Sequence, residues 1–145
     1  MLLNFNLKEL KPVIKGYVVG ESSDDDILCS KEITEDFVVV AKTADGNGYL
    51  TKIDVVDADA NQIKLEDFPD IGITAANIGL QVCVAGPKGY QYKPAWRAIR
   101  KTLGAQGVKE ITERKYEQNN SKKDIYVPLN SMVFFIVYDG EGKEE

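Results

Sequence analysis

The sequence predicts an α+β, β-rich domain: mostly antiparallel sheet, as a small barrel or sandwich of six to eight strands, with one amphipathic helix near residues 94–104. Three observations lead there. Short β-branched or alternating runs recur from Val13 to Tyr138, separated by Asp-Gly, Asn-Gly and Gly-Pro turn residues. A single segment, opening at Pro94, spaces its apolar residues as a helix does. The chain has 145 residues, 43% of them apolar and 28% charged, with no linker-like run. One domain, residues 1–145, therefore suffices, and it buries roughly two-thirds of its unfolded surface.

Residues 1–11 have apolar side chains at 2, 3, 5, 7 and 10, which suits a short helix or an extended N-terminal arm equally. Pro12 favours extension, and Val13 to Val19 reads as a first strand, with Gly16 marking a bulge or close approach. Glu21 to Asp26 is an acidic, solvated loop, and Ile27 to Ile33 is a second strand. Phe37 to Thr43 is rich in β-branched residues and is followed by the turn residues of Ala44 to Gly48. Tyr49 to Val56 then returns as a strand, and Asp57 to Asn61 turns the chain into Ile63–Leu65, completing a meander over 37–66.

Phe68 to Gly72 is a loop around Pro69, and Thr74 to Ile78 reads as a short helix capped by Thr74. Leu80 to Ala85 alternates as a strand and is closed by the turn Gly86 to Gly89. In the helix, Trp96, Ile99 and Leu103 fall at i, i+3 and i+7 on one face, while Arg97, Arg100 and Lys101 fall on another. Pro94 suits the first helical position, and Gly104 or Gly107 can end the helix in a left-handed conformation.

Val108 to Glu117 reads two ways. Lys109–Glu113 and Glu110–Arg114 are i,i+4 pairs of a helix, yet Val108, Thr112 and Tyr116 share a strand parity. Asn119 to Lys123 is a polar loop. Ile125–Val127 and Met132–Tyr138 are strands, the second apolar on both faces and so expected at the centre of a sheet. Residues 139–145 form a short acidic tail.

Most catalytic chemistry is excluded by what is missing. There is no histidine, which removes Ser-His-Asp and Cys-His nucleophiles and the usual zinc and non-haem iron sites. Neither glycine-rich phosphate-binding signature occurs. Asp57 to Asn61 begins like a calcium loop but has Gln62 where glycine is needed and Phe68 where the closing glutamate belongs. The expectation is a non-enzyme with no catalytic residue, no cofactor and no metal. Cys29 and Cys83 lie among apolar neighbours and read as reduced, buried thiols. The N-terminus lacks the pattern of a signal peptide, and the longest apolar run, Met132–Tyr138, is strand-sized. A cytoplasmic location, or a virion were the source viral, is expected, with no membrane partner.

Charge carries the functional reading. Residues 88–123 hold ten Lys or Arg against three Glu, a local net of +7, whereas residues 1–87 carry −8 and residues 124–145 carry −4. Tyr90, Tyr92, Trp96 and Tyr116 lie within the basic quarter. The plainest reading of Trp96, Ile99 and Leu103 is core. Clustered cations in an acidic protein point instead to binding. The leading expectation is a small subunit of a larger assembly, such as a virus particle, self-associating or joining other protein subunits. It would dock through Lys88, Tyr90, Tyr92, Lys93, Trp96, Arg97, Arg100 and Lys101, aromatic and arginine side chains being enriched at interface centres. The alternative is a single-stranded nucleic-acid binder with an OB-like barrel, cations on phosphates and tyrosines on bases. A third reading, an acidic nucleic-acid mimic acting as an inhibitor, would use Asp24, Asp25 and Asp26 with other acids of residues 1–70.

Overall fold

The structure, a computed structural model, describes residues 7–9, 17–53, 81–105, 107–117 and 122–138. Among the described residues the chain forms nine strands and one α-helix. The strands are β1 (Leu7–Glu9), β2 (Tyr17–Glu21), β3 (Ile27–Ile33), β4 (Phe37–Lys42), β5 (Asn47–Ile53), β6 (Gln81–Pro87), β7 (Thr112–Tyr116), β8 (Lys123–Pro128) and β9 (Phe135–Tyr138). The helix α1 spans Lys93–Ala105 and is led in by a 3-10 turn over Tyr90–Tyr92.

The strands make two sheets. One has the order β1-β3-β8-β9, the other β2-β5-β4-β6-β7. Pairing is mostly antiparallel, as expected, with β1·β3 and β6·β7 the parallel pairs. The β6·β7 pair is parallel because α1 carries the chain between them, the crossover a parallel pair requires.

Three layers result: four-stranded sheet, five-stranded sheet, helix. Side chains alternate along a strand, so β4 sends Val38 and Val40 into the core between the sheets and Phe37, Val39 and Ala41 into the core beneath α1. Strand β6 divides the same way, Cys83 and Ala85 against Val82 and Val84. This two-sided burial explains why neither run shows a polar face. Each large side chain so buried contributes about 1.5–3 kcal/mol relative to exposure.

Local signals set the boundaries. Between β4 and β5, Thr43 N–H donates to Asn47 O at 2.9 Å and Gly46 N–H to Thr43 O at 3.0 Å, closing the expected turn. The helix ends in a Schellman motif: Gly107 N–H donates to Gly104 O at 3.0 Å and Val108 N–H to Leu103 O at 3.1 Å. Gly107 has a φ of 93°, which a side chain would resist.

Several expectations are corrected. The strands form two separate sheets rather than a closed barrel, so the OB-like barrel is not the fold. Strand β9 lies at an end of its sheet among the described residues, not at the centre. Its apolar run misled because Met132 and Phe134 fill the inter-sheet core from a non-strand segment, while Phe135 and Val137 are half-buried. Of the meander, the described residues show β4 and β5, with β2 on the other side of β5. Its third strand, Ile63–Leu65, and the short helix at Thr74–Ile78 lie outside the described residues, as does most of the arm, of which Leu7–Glu9 is a strand. Lys123, read as polar loop, opens β8 and is fully buried. Its Nζ donates to Thr34 O at 3.1 Å and stands 4.3 Å from the Tyr116 ring centroid.

A basic cleft at the β6–α1 crossover as the candidate functional site

The ambiguous segment 108–117 resolves as edge strand β7, and this decides the site. Tyr116 is drawn into the inter-sheet core, where its hydroxyl donates to Asp36 O at 2.6 Å. With β-alternation fixed by Tyr116, Glu113 and Lys115 are carried to the α1 side of the sheet. The i,i+4 pairings of a helix are replaced by pairings across to α1.

Arg100 Nε and Nη2 donate to the two Glu113 carboxylate oxygens at 2.5 and 2.8 Å, a bidentate fork that fixes the guanidinium. That bond holds the Glu113 carboxyl below the usual carboxylate range and raises Arg100. Lys115 Nζ lies 5.4 Å from the Trp96 ring centroid, and Arg100 Cζ lies 5.7 Å from it. Trp96 is only 3% exposed. Its indole N–H donates to Pro87 O at 3.0 Å, and its ring meets Phe37 edge-on with centroids 4.9 Å apart. Trp96 is thus a buried floor beneath the cations.

Above that floor opens a cleft of about 400 Å³ lined by Lys88, Gly89, Lys93, Trp96, Arg97, Arg100 and Lys115. Three elements supply the cations: the loop after β6, the first half of α1 and strand β7. Lys88 N–H donates to Tyr116 O at 2.8 Å, which ties the loop to β7. The acids at the rim are engaged, Glu113 with Arg100 and Glu117 with Lys88 at 3.3 Å.

The helix reinforces the positive field. Its first turn holds no acid and its last turn no base, the reverse of the arrangement that stabilises a helix dipole. A cation such as Lys93 at the positive end opposes helix stability by about 0.3–1 kcal/mol.

Of the eight residues expected to bind a partner, Lys88, Lys93, Trp96, Arg97 and Arg100 converge on the cleft. Tyr90 is 82% exposed beside it, with Lys93 Nζ 4.8 Å from its ring centroid. Lys101 is exposed on α1 but does not line the cleft. Tyr92 turns inward, 7% exposed in the core under α1, and its hydroxyl donates to Glu35 at 3.3 Å. Burial pushes its phenol up. Sequence reasoning missed Lys115 as a lining residue; its signal was the strand parity shared by Thr112 and Tyr116.

The acids 24–26 do not form one solvated face. Asp26 is 3% exposed and its Oδ2 accepts from Glu21 N–H at 2.8 Å, while Asp25 accepts from Asn130 Nδ2 at 2.5 Å. Among the described residues no group of three or more His, Cys, Asp or Glu is placed to hold a metal ion, and no helix is long and apolar enough to cross a membrane. No protein-family model matches the chain, and no curated protein sequence matches it. A functional reading therefore stands on the cleft itself.

Proposed function

We propose that this protein is a non-enzymatic docking subunit of a larger assembly, and that its basic cleft receives an acidic segment of a partner protein. One observation carries the reading: five cations from three elements surround a single cleft on a chain of net charge −5. Converging cations over a buried aromatic floor give orientation and charge complementarity, the properties that select a partner and speed its encounter. Exposed Tyr90 at the rim supplies aromatic contact area of the kind enriched at interface centres.

Two features disfavour single-stranded nucleic acid as the ligand. The sheets do not close into a barrel, and Tyr92 and Tyr116 are buried, leaving Tyr90 alone of those tyrosines to stack on a base. Trp96 is the sole tryptophan, so its fluorescence reports on the cleft directly. Titration with oligo-glutamate is expected to give saturable, salt-sensitive binding that the Lys93→Glu, Arg97→Glu double variant loses. Tighter binding of oligo-thymidylate than of oligo-glutamate would overturn the proposal. Light scattering on the same samples separates self-association from binding of a foreign partner.

A further inference from the structure

We infer that the group this cleft accepts is a phosphoryl group, carried on a phosphorylated side chain of the acidic partner; the inference rests on the docking reading above. The first argument is direction. Lys88 approaches from the loop, Lys93 and Arg97 from the helix, and Lys115 from the strand across the cleft. A carboxylate is planar and accepts donors in or near its plane. A phosphoryl group presents three acceptor oxygens in three directions, which matches donors arriving from three elements.

The second argument is charge. Two of the five lining cations already have carboxylate partners, Arg100 with Glu113 and Lys88 with Glu117. Lys93, Arg97 and Lys115 make no ion pair among the described residues; Lys93 and Lys115 rest against aromatic rings, and Lys115 acts on Glu113 only from beyond ion-pair distance. A surplus of three cations around one concave spot is poorly neutralised by a single carboxylate and well neutralised by a phosphomonoester of about −1.5 to −2.

The third argument is preorganisation. The Glu113 fork and the Trp96 ring hold the Arg100 guanidinium in place before any ligand arrives. A positioned guanidinium recognises phosphate at a smaller entropic cost than a free one. Glu113 thus acts as a positioning residue for Arg100 rather than as a competitor for the ligand.

The test uses the full chain and Trp96 fluorescence. The probes are a glutamate-rich peptide containing one serine, the same peptide phosphorylated, and inorganic phosphate against acetate at matched ionic strength. Phosphorylation is expected to tighten binding by about tenfold or more, consistent with added charge-assisted hydrogen bonds. Inorganic phosphate, and not acetate, should displace the phosphopeptide. Lowering the pH through the second phosphate ionisation near pH 6 should reduce the gain, as the dianion becomes a monoanion, with a smaller change for the unphosphorylated peptide. Arg97→Ala, at an exposed position, should remove the gain without altering thermal stability, and Lys115→Ala should remove it with a small fall in stability from the lost contact to the Trp96 ring. Equal affinity for the two peptides, with no displacement by phosphate, would overturn the inference while leaving the docking reading intact. Failure of both peptides to bind would overturn both. Saturable phosphate binding with no advantage for the phosphopeptide would overturn the assignment to a partner protein.

Discussion

Gly86→Ala probes the floor of the cleft without touching a cation. A methyl group built on Gly86 would lie 2.4 Å from both Cδ2 and Cε2 of Phe37 and 2.8 Å from Cζ2 of Trp96. Neither ring can yield cheaply. Phe37 is fully buried, Trp96 is 3% exposed, and the indole is held by its bond to Pro87 O. Overpacking a core generally costs about 1–3 kcal/mol, and clashes with two trapped rings place this change near about 3 kcal/mol. For a domain of this size each kcal/mol moves Tm by about 2–4 °C, so a fall of about 6–12 °C is expected. Thermal unfolding followed by far-UV circular dichroism measures it, and near-UV dichroism of Trp96 reports displacement of the ring. A Tm within about 2 °C of the parent, with an unchanged tryptophan band, would refute the packing argument.

Three further outcomes follow from the same geometry. Tyr116→Phe removes the hydroxyl that donates to Asp36 O at 2.6 Å and should cost about 0.5–1.5 kcal/mol in urea denaturation, the net range for a lost hydrogen bond. Glu113 has a lowered folded pKa, so its contribution is complete above the unfolded value near 4.5 and is lost as pH falls through the lower folded value. Glu113→Gln should therefore flatten the acid limb of a stability–pH curve below about pH 5, by at most about 1 kcal/mol given the exposure of Arg100. Both cysteines are buried free thiols, and burial pushes Cys29 up to about 12 and Cys83 upward. Neither should react with a thiol reagent in the native state at neutral pH, and both should react together if unfolding is a single cooperative transition.

The parts of the fold legible in the sequence are those fixed by local pattern. Phe37–Thr43 announces itself as a strand through its β-branched run and Leu80–Ala85 through its alternation, whereas the burial of both faces of β4 and β6, and the continuation of β6 through Gly86 to Pro87, come from packing. The helix was legible because Pro94, the Trp96–Ile99–Leu103 stripe and the pair Gly104 or Gly107 mark its start, face and end, and the structure selects Gly107. What was not legible depended on tertiary partners. Segment 108–117 satisfies helical charge spacing and strand parity alike, and the choice is made by β6 as its neighbour and by the pocket that receives Tyr116. Lys123 looks solvated from its neighbours Lys122 and Asp124, yet carbonyls of Ile33 and Thr34 and two tyrosine rings take it inside. Tyr92 was misplaced for a related reason: it precedes α1 by one residue, and a single 3-10 turn swings it under the helix while Tyr90 remains outside. The candidate site was therefore half visible, its helix and loop cations apparent from spacing and its Lys115 wall hidden until β7 was placed.

The central claim is that the cleft binds an acidic partner through its converging cations. Its most direct test is a Trp96 fluorescence titration with oligo-glutamate, on the parent chain and on Arg97→Glu, at low and at moderate salt. Arg97 is exposed, lines the cleft and has no carboxylate partner among the described residues, so its reversal should leave folding unchanged. The account predicts saturable binding by the parent that weakens as screening shortens the reach of the cations to about 10 Å near 0.1 M salt, and no binding by the variant. Equal titration curves for parent and variant, or a parent that ignores the polyanion at low salt, would contradict it.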